Sequence, residues 1–238
     1  YDSGDFPALF EELLRRLDYD GARKEQRALA ARGVRRGIGL CAYVEKTGLG
    51  PFETAHVEAK SDGTFVVDTG ASSMGPGLET VLAQILGDAL GLPPDRFVVR
   101  HTDTAAIESG VGTYGSRGTV MAGNAAHMAA AKLIAEAKTR AAAVLGCAEG
   151  DVAYARGTLS AGGKRVRLAA LAARGRLAAG ASFTVAKVTY AGCAVAVVLD
   201  VDEATGAVAL RRVVVGADVG RAVNPALIEG QLVGGVAF

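Results

Sequence analysis

Cysteine and histidine are scarce in this 238-residue chain, three of each, and neither occurs in a metal-binding spacing. Cys41, Cys147 and Cys193 sit singly in apolar strand-like or helix-like settings with no CxxC pair, so neither a disulfide framework nor a zinc site is written here. They read as reduced core residues. His56, His101 and His127 have no mutual spacing suited to a metal and read as structural or solvated. An excess of charge is also missing: 26 basic and 25 acidic residues leave a formal net charge of +1, which removes any electrostatic case for nucleic acid or an anionic membrane. Any anion must be caught locally. No apolar run is long: the longest, around Ala191 to Leu199, falls far short of the roughly 20 residues a spanning helix needs. Tyr1-Asp-Ser-Gly-Asp5 is no secretory signal. The expectation is a soluble, cytoplasmic chain with no membrane span, half of it apolar and able to bury a sizeable core.

Glycine is plentiful, with 32 residues. Asp68-Thr-Gly-Ala-Ser-Ser-Met-Gly-Pro-Gly-Leu-Glu79 places it directly ahead of a helical pattern in which Leu78, Val81, Leu82, Ile85, Leu86, Ala89 and Leu90 form one buried face. The first turn of such a helix keeps unpaired N–H groups at the positive end of its dipole. Gly75 and Gly77 would let an anionic ligand approach that backbone closely. On this loop alone, a tight strand-to-helix turn that uses glycine only for its backbone angles reads equally well. A second segment, Gly110-Val-Gly-Thr-Tyr-Gly-Ser-Arg-Gly118, opens a helical run from about Thr119 to Leu145. A third, from Asp218 through Gly220 and Asn224-Pro225, leads into a helix-like run carrying Gln231. Three such loops in one chain are hard to explain as turns.

The remainder is legible as punctuation. Asp5 and Pro7 cap a helix over Phe6 to Leu17; a second, charge-studded helix runs from Tyr19 to about Arg32 and stops at Gly33. From Gly37 the period changes to two. A hairpin turns at Ser61-Asp62-Gly63, and a short strand covers Phe97 to about Thr102. Residues 149–180 contain short strands, a Gly162-Gly163 turn and a short helix. A second hairpin runs from Val188 to Val215 about a turn at Glu203 to Gly206. The pattern predicts an α+β fold of mixed, mostly antiparallel sheets with covering helices. The expected division is a helical lead-in at 1–33, a first ligand-binding half at 34–148, a connector without chemistry at 149–180, and the start of a similar second half at 181–238.

The loops, in this order, resemble the molybdenum-cofactor-binding large subunits of the xanthine dehydrogenase and aldehyde oxidase family, including its carbon monoxide dehydrogenase-like bacterial members. The family pattern Gly-Thr-Gly-x-x-x-Met-Gly-Gln-Gly-Leu-x-Thr is matched from Gly70 to Thr80, and Gly-Thr-x-Gly-Ser-Arg at 112–117. Asp-x-Gly-x-x-x-Asn-Pro with Gly-Gln-x-x-Gly-Gly is matched at 218–235, and the opening Tyr1-Asp-Ser-Gly-Asp-Phe-Pro7 also fits. The resemblance implies a molybdenum hydroxylase that oxidises an aldehyde, N-heterocycle or similar small substrate, with oxygen drawn from water. It implies molybdopterin cytosine dinucleotide as cofactor, with iron–sulfur clusters and FAD on partner subunits. Gly75, Gly77 and Leu78 would present backbone to the pterin or its phosphate. Thr113, Tyr114, Gly115, Ser116, Arg117 and Gly118 would ring the phosphate and nucleotide tail, Arg117 pairing bidentately with a phosphate. Gln231 matches a glutamine that hydrogen-bonds the pterin.

Two departures qualify the match. Pro76 stands where the family has glutamine, removing a side-chain amide and a backbone N–H. The family's glutamate base is expected beyond residue 238, so no catalytic residue is assigned and the chain reads as a fragment that relies on the rest of the large subunit. A non-catalytic remnant or assembly domain of the same fold is the alternative. Asp103 and Glu108, on the way into the second loop, read as solvated, and Glu79 as a carboxylate favoured by its helix dipole.

Overall fold

The computed structural model describes residues 3–101 and 103–237; Tyr1, Asp2, Thr102 and Phe238, which figure in the sequence patterns above, lie outside the described residues. Helix α1 (Phe6–Leu17) is capped as its sequence predicts: the Asp5 carboxylate accepts from the Ala8 N–H at 3.0 Å, and Pro7 sits in the first turn, where its missing N–H has no partner to lose. Asp18, in the left-handed region at φ 54°, ends α1 and begins α2 (Tyr19–Ala30). Strand β1 (Arg35–Thr47) follows. The expected hairpin is formed by β2 (Glu53–Ala59) and β3 (Phe65–Thr69), closed by Lys60 N–H donating to Thr64 O at 2.9 Å. β3 runs straight into the first glycine loop and α3 (Leu78–Leu90), after which β4 (Phe97–Arg100) pairs in parallel with β3. The second loop leads through a π turn (Gly118–Ala122) into α4 (Gly123–Leu145). β5 (Ala153–Ala155), β6 (Thr158–Ala161) and β7 (Lys164–Arg167) form a small antiparallel sheet, with α5 (Leu168–Ala172) behind it. β8 (Leu177–Phe183), β9 (Thr189–Val201), β10 (Val208–Asp218) and α6 (Pro225–Ala237) complete the order.

The fold is α+β and mostly antiparallel, as the sequence predicts, and it divides into two compact units. The larger comprises Thr47–Val188 with Val223–Gln231. Its sheet has the order β4-β3-β2-β8. Alternation along β2 buries Ala55, Val57 and Ala59, and with Val67, Leu82, Leu86, Leu133 and Leu177 these make a core in which α3 and α4 cover one face. The side of α4 turned inward carries alanine at 125, 126, 129, 130, 137 and 141, which lets the helix lie close against β2 and β8. The smaller unit holds α1, α2, most of β1 and the β9–β10 hairpin, in a sheet of order β1-β9-β10. Leu13 and Leu17 of α1 pack on Ala194, Ala196 and Val198 of β9. At the end of that buried row Asp200 accepts a bidentate pair from Arg36 at 2.7 and 3.0 Å and a third bond from Arg211 at 2.7 Å.

Two expectations change. The linear division at 34, 149 and 181 is redrawn because β1 joins a sheet with β9, and β8, which begins inside the expected connector, pairs with β2. Pairing between strands more than 100 positions apart leaves no local mark. The cysteines are not all core: Cys41 is exposed and Cys147 and Cys193 are half-buried. β1 is an edge strand, and α1 packs on β9 and β10 instead.

Candidate functional site

The first loop leaves β3 at Thr69, a buried residue whose hydroxyl donates to Thr54 O at 3.1 Å. Met74, Gly75 and Pro76 form an exposed tip. Gly75 has φ 97° and open space around it, so its backbone angles alone demand glycine there. Gly77, at φ 81°, is the N-cap of α3 and offers no side chain to cap it. A Cβ on Gly77 would lie 2.6 Å from a methyl of Leu227, so α6 rests on this glycine. Asn224 fixes that approach: its side-chain oxygen accepts from Leu227 N–H at 3.1 Å, and its amide donates to Gln84 of α3 at 3.0 Å. The Asn-Pro pair is thus a helix cap with proline at the first helical position, not merely a turn. Gln231 is exposed, four residues after Leu227 on α6.

The second loop is pinned to the first. Thr113 Oγ1 donates to Ser72 O at 2.6 Å and accepts from Ser72 N–H at 2.8 Å, so its only donor is spent between loops. Gly115 and Ser116 both have left-handed backbones, at φ 52° and 51°, and a Cβ on Gly115 would stand 2.8 Å from Leu49. Tyr114 is half-exposed, with the Arg117 guanidinium 5.2 Å from its ring centre. Arg117 itself is buried. Its Nη1 donates to Glu53 Oε2 at 2.6 Å and to Gly112 O, its Nε to Leu49 O at 2.7 Å, and its Nη2 to Phe52 O. The bidentate phosphate pairing expected of Arg117 is therefore replaced by an internal clamp, because a carboxylate and three carbonyls already surround the guanidinium.

Glu53 is the residue that sequence reasoning missed. Both it and Arg117 have side chains 0% exposed. Glu53 also accepts from the N–H groups of Thr54, Val111 and Gly112, at 3.0, 3.4 and 3.1 Å. A signal was available: Glu53 is in phase with Ala55, Val57 and Ala59, and a carboxylate on the buried side of a strand needs a cationic partner.

The two loops bring two helix N-termini together. No side chain caps either α3 or the π turn that opens α4. The space where Gly118 would carry a Cβ lies 3.5 Å from a side-chain methyl of Leu78, the first residue of α3, and among the described residues it meets no other neighbour within 4 Å. At α3 the position for an anion is partly taken: the Glu79 carboxylate is held below its usual range foremost by His101, at 2.9 Å, and then by its own backbone N–H. The π turn has Arg117 as its N-cap residue and no side-chain cap. Asp103 and Glu108 are exposed, and Asp103 caps its own turn by accepting from Ala105 N–H at 2.9 Å. His127 is exposed on α4, and His56 packs over Gly180. Among the described residues no helix is long and apolar enough to cross a membrane.

Known proteins resemble this chain in sequence and fold. Subunit gamma of the 6-hydroxypseudooxynicotine dehydrogenase complex of Paenarthrobacter nicotinovorans is 34% identical over 98% of this chain and 31% of its own length. The carbon monoxide dehydrogenase large chain of Hydrogenophaga pseudoflava is 31% identical over 99% of this chain and 33% of its own. The crystal structure of a Cu,Mo-CO dehydrogenase superposes with a TM-score of 0.86 at 31% identity, again over 99% of this chain and 33% of the other. The chain thus spans about a third of the length of the curated relatives it matches. The family profile of the molybdopterin cofactor-binding domain matches residues 12–238, a span that takes in both glycine loops, the π turn and Gln231. By that match and by these relatives, the chain belongs to the molybdopterin cofactor-binding domain family.

Proposed function

We propose that this chain holds the cytosine dinucleotide form of the molybdopterin cofactor, as one part of a larger molybdenum hydroxylase. The observation that carries the reading is Gly118. Neither its backbone angles nor its neighbours require glycine, yet its missing Cβ keeps clear the gap between the uncapped π turn and the start of α3. A helix start whose N–H groups have no side-chain cap suits a phosphate. Gly118, Thr119 and Val120 would donate to that phosphate, and Gly75, Gly77 and Leu78 would offer backbone to the pterin. Gln231, carried on α6, would hydrogen-bond the pterin edge. Thr113 and Arg117 serve by fixing the second loop, and Tyr114 by lining its exposed side.

When bound, the group would supply hydroxylation of an aldehyde, N-heterocycle or similar small substrate with oxygen from water, its electrons leaving to iron–sulfur clusters and FAD on partner subunits. The task of this chain's residues is to bind and orient. That the gamma-subunit relative is named as one subunit of a dehydrogenase complex supports the presence of partner subunits. Pro76 argues little for a cofactor-free remnant, because it lies at the exposed loop tip and leaves the N–H groups of the π turn untouched. The test is molybdenum analysis of the complete subunit complex, with acid release of the nucleotide. Stoichiometric metal with cytidine monophosphate is expected; a complex without molybdenum overturns the reading.

A further inference from the structure

The Glu53–Arg117 pair is too deep to touch a ligand, since both side chains are 0% exposed. Its stabilising value is small in principle: a buried ion pair often does no better than a well-packed apolar pair of the same volume. What it does is gather chain segments. Through one carboxylate and one guanidinium, residues 49, 52, 53 and 54 are tied to 111, 112 and 117. The first loop is drawn to the same point. A Cβ on Gly70 or on Gly110 would lie 2.5 Å from the Cα of the other, and each would also crowd Glu53 Oε1, so the two backbones press together over the carboxylate. Directly beyond this knot come the left-handed Gly115 and Ser116 and the π turn, whose orientation is fixed from the Arg117 end.

We propose that Glu53, acting through Arg117, is a positioning residue for the cofactor: it sets the conformation of residues 110–118 and so the direction in which the Gly118 N–H and Tyr114 face. This rests on the cofactor reading above. The carboxylate suits the task because it has acceptor capacity for several converging donors and no donor of its own. Glutamine in the same place would turn an N–H2 group toward N–H donors.

The experiment compares wild type, Glu53→Gln and Glu53→Asp in the complete subunit complex. It reads two quantities: molybdenum and pterin content per subunit, and amide hydrogen exchange of residues 110–118 against residues 125–145 of α4. Wild-type metal content tests the cofactor reading by itself; the variant-to-wild-type ratios and the exchange pattern test the role of Glu53. In Glu53→Gln, exchange at 110–118 should rise roughly tenfold or more, with α4 still protected, and cofactor content should fall well below wild type. Glu53→Asp, which keeps the charge, should recover part of both. If α4 also loses protection in Glu53→Gln, the Asp variant is read alone and by the same pattern, a smaller rise at 110–118 accompanied by a smaller loss of cofactor. Unchanged cofactor content despite a loosened loop overturns the proposal, as does cofactor loss while 110–118 stays fully protected.

Discussion

Replacing Gly118 with alanine separates two reasons for having glycine there. If the protein itself needed the glycine, the new methyl group would collide or the backbone would be strained. Neither holds: among the described residues the Cβ would meet the Leu78 side chain alone, at an ordinary contact distance of 3.5 Å, and Gly118 is not in the left-handed region. Alanine at a compatible helical position should leave stability unchanged or raise it by about 0.4 to 1 kcal/mol, through the smaller entropy of the unfolded chain. A bound phosphate would fare differently. The methyl group would occupy the gap between the two helix starts and displace the anion from at least one N–H. A hydrogen bond to a charged group is worth about 1.5 to 3 kcal/mol, or roughly ten- to a hundredfold in affinity. The assay is molybdenum and pterin content of the complete complex after extensive dialysis, beside the melting temperature. Stability held with cofactor lost is the expected pair of results. Cofactor retained at the wild-type level would show that the gap is not its seat; stability lost would show that the glycine serves the fold. Gly115 cannot make this distinction, since a side chain there strains a φ of 52° and strikes Leu49, so Gly115→Val would lose cofactor by deforming the loop.

Three further outcomes follow from the same geometry. Pro76→Gln restores an amide at an exposed tip and breaks no hydrogen bond, so cofactor affinity should rise by up to about tenfold, from a bond worth about 0.5 to 1.5 kcal/mol; competition dialysis of the complex measures it. Gly77→Ala should destabilise by about 1 to 3 kcal/mol, because it combines a φ of 81° with a 2.6 Å approach to Leu227; in a double-mutant cycle with Leu227→Ala the collision share should disappear and the backbone share persist. The Asp200 carboxyl is held at about 2, foremost by its hydrogen bond from Arg36. Its folded value lies below the unfolded one, about 3.9, so its contribution is complete above that and is lost as pH falls toward 2. Acid titration of unfolding should show this loss, and Asp200→Asn should flatten it.

Much of the fold was legible because its signals are local. Asp5 and Pro7 mark the start of α1, the Ser61-Asp62-Gly63 turn sets the first hairpin, and glycine before an apolar helical face announces both loops; each depends on a few neighbouring residues. Glycine at 75 and 77 is local in the same sense, since each takes a backbone angle in the left-handed region, φ 97° and 81°. The roles of Thr113 and Arg117 were not legible. A hydroxyl and a guanidinium in a glycine loop read as ligand donors, since sequence displays the donor and conceals what fills it. Here Ser72, 41 positions earlier, takes the hydroxyl, and Glu53, 64 positions earlier, takes the guanidinium. The partnership of β1 with β9 is of the same kind. Periodicity, caps and turns are written residue by residue. Which distant carboxylate meets which cation is decided only when strands pair and bury both, because only then does leaving either charge without the other become costly.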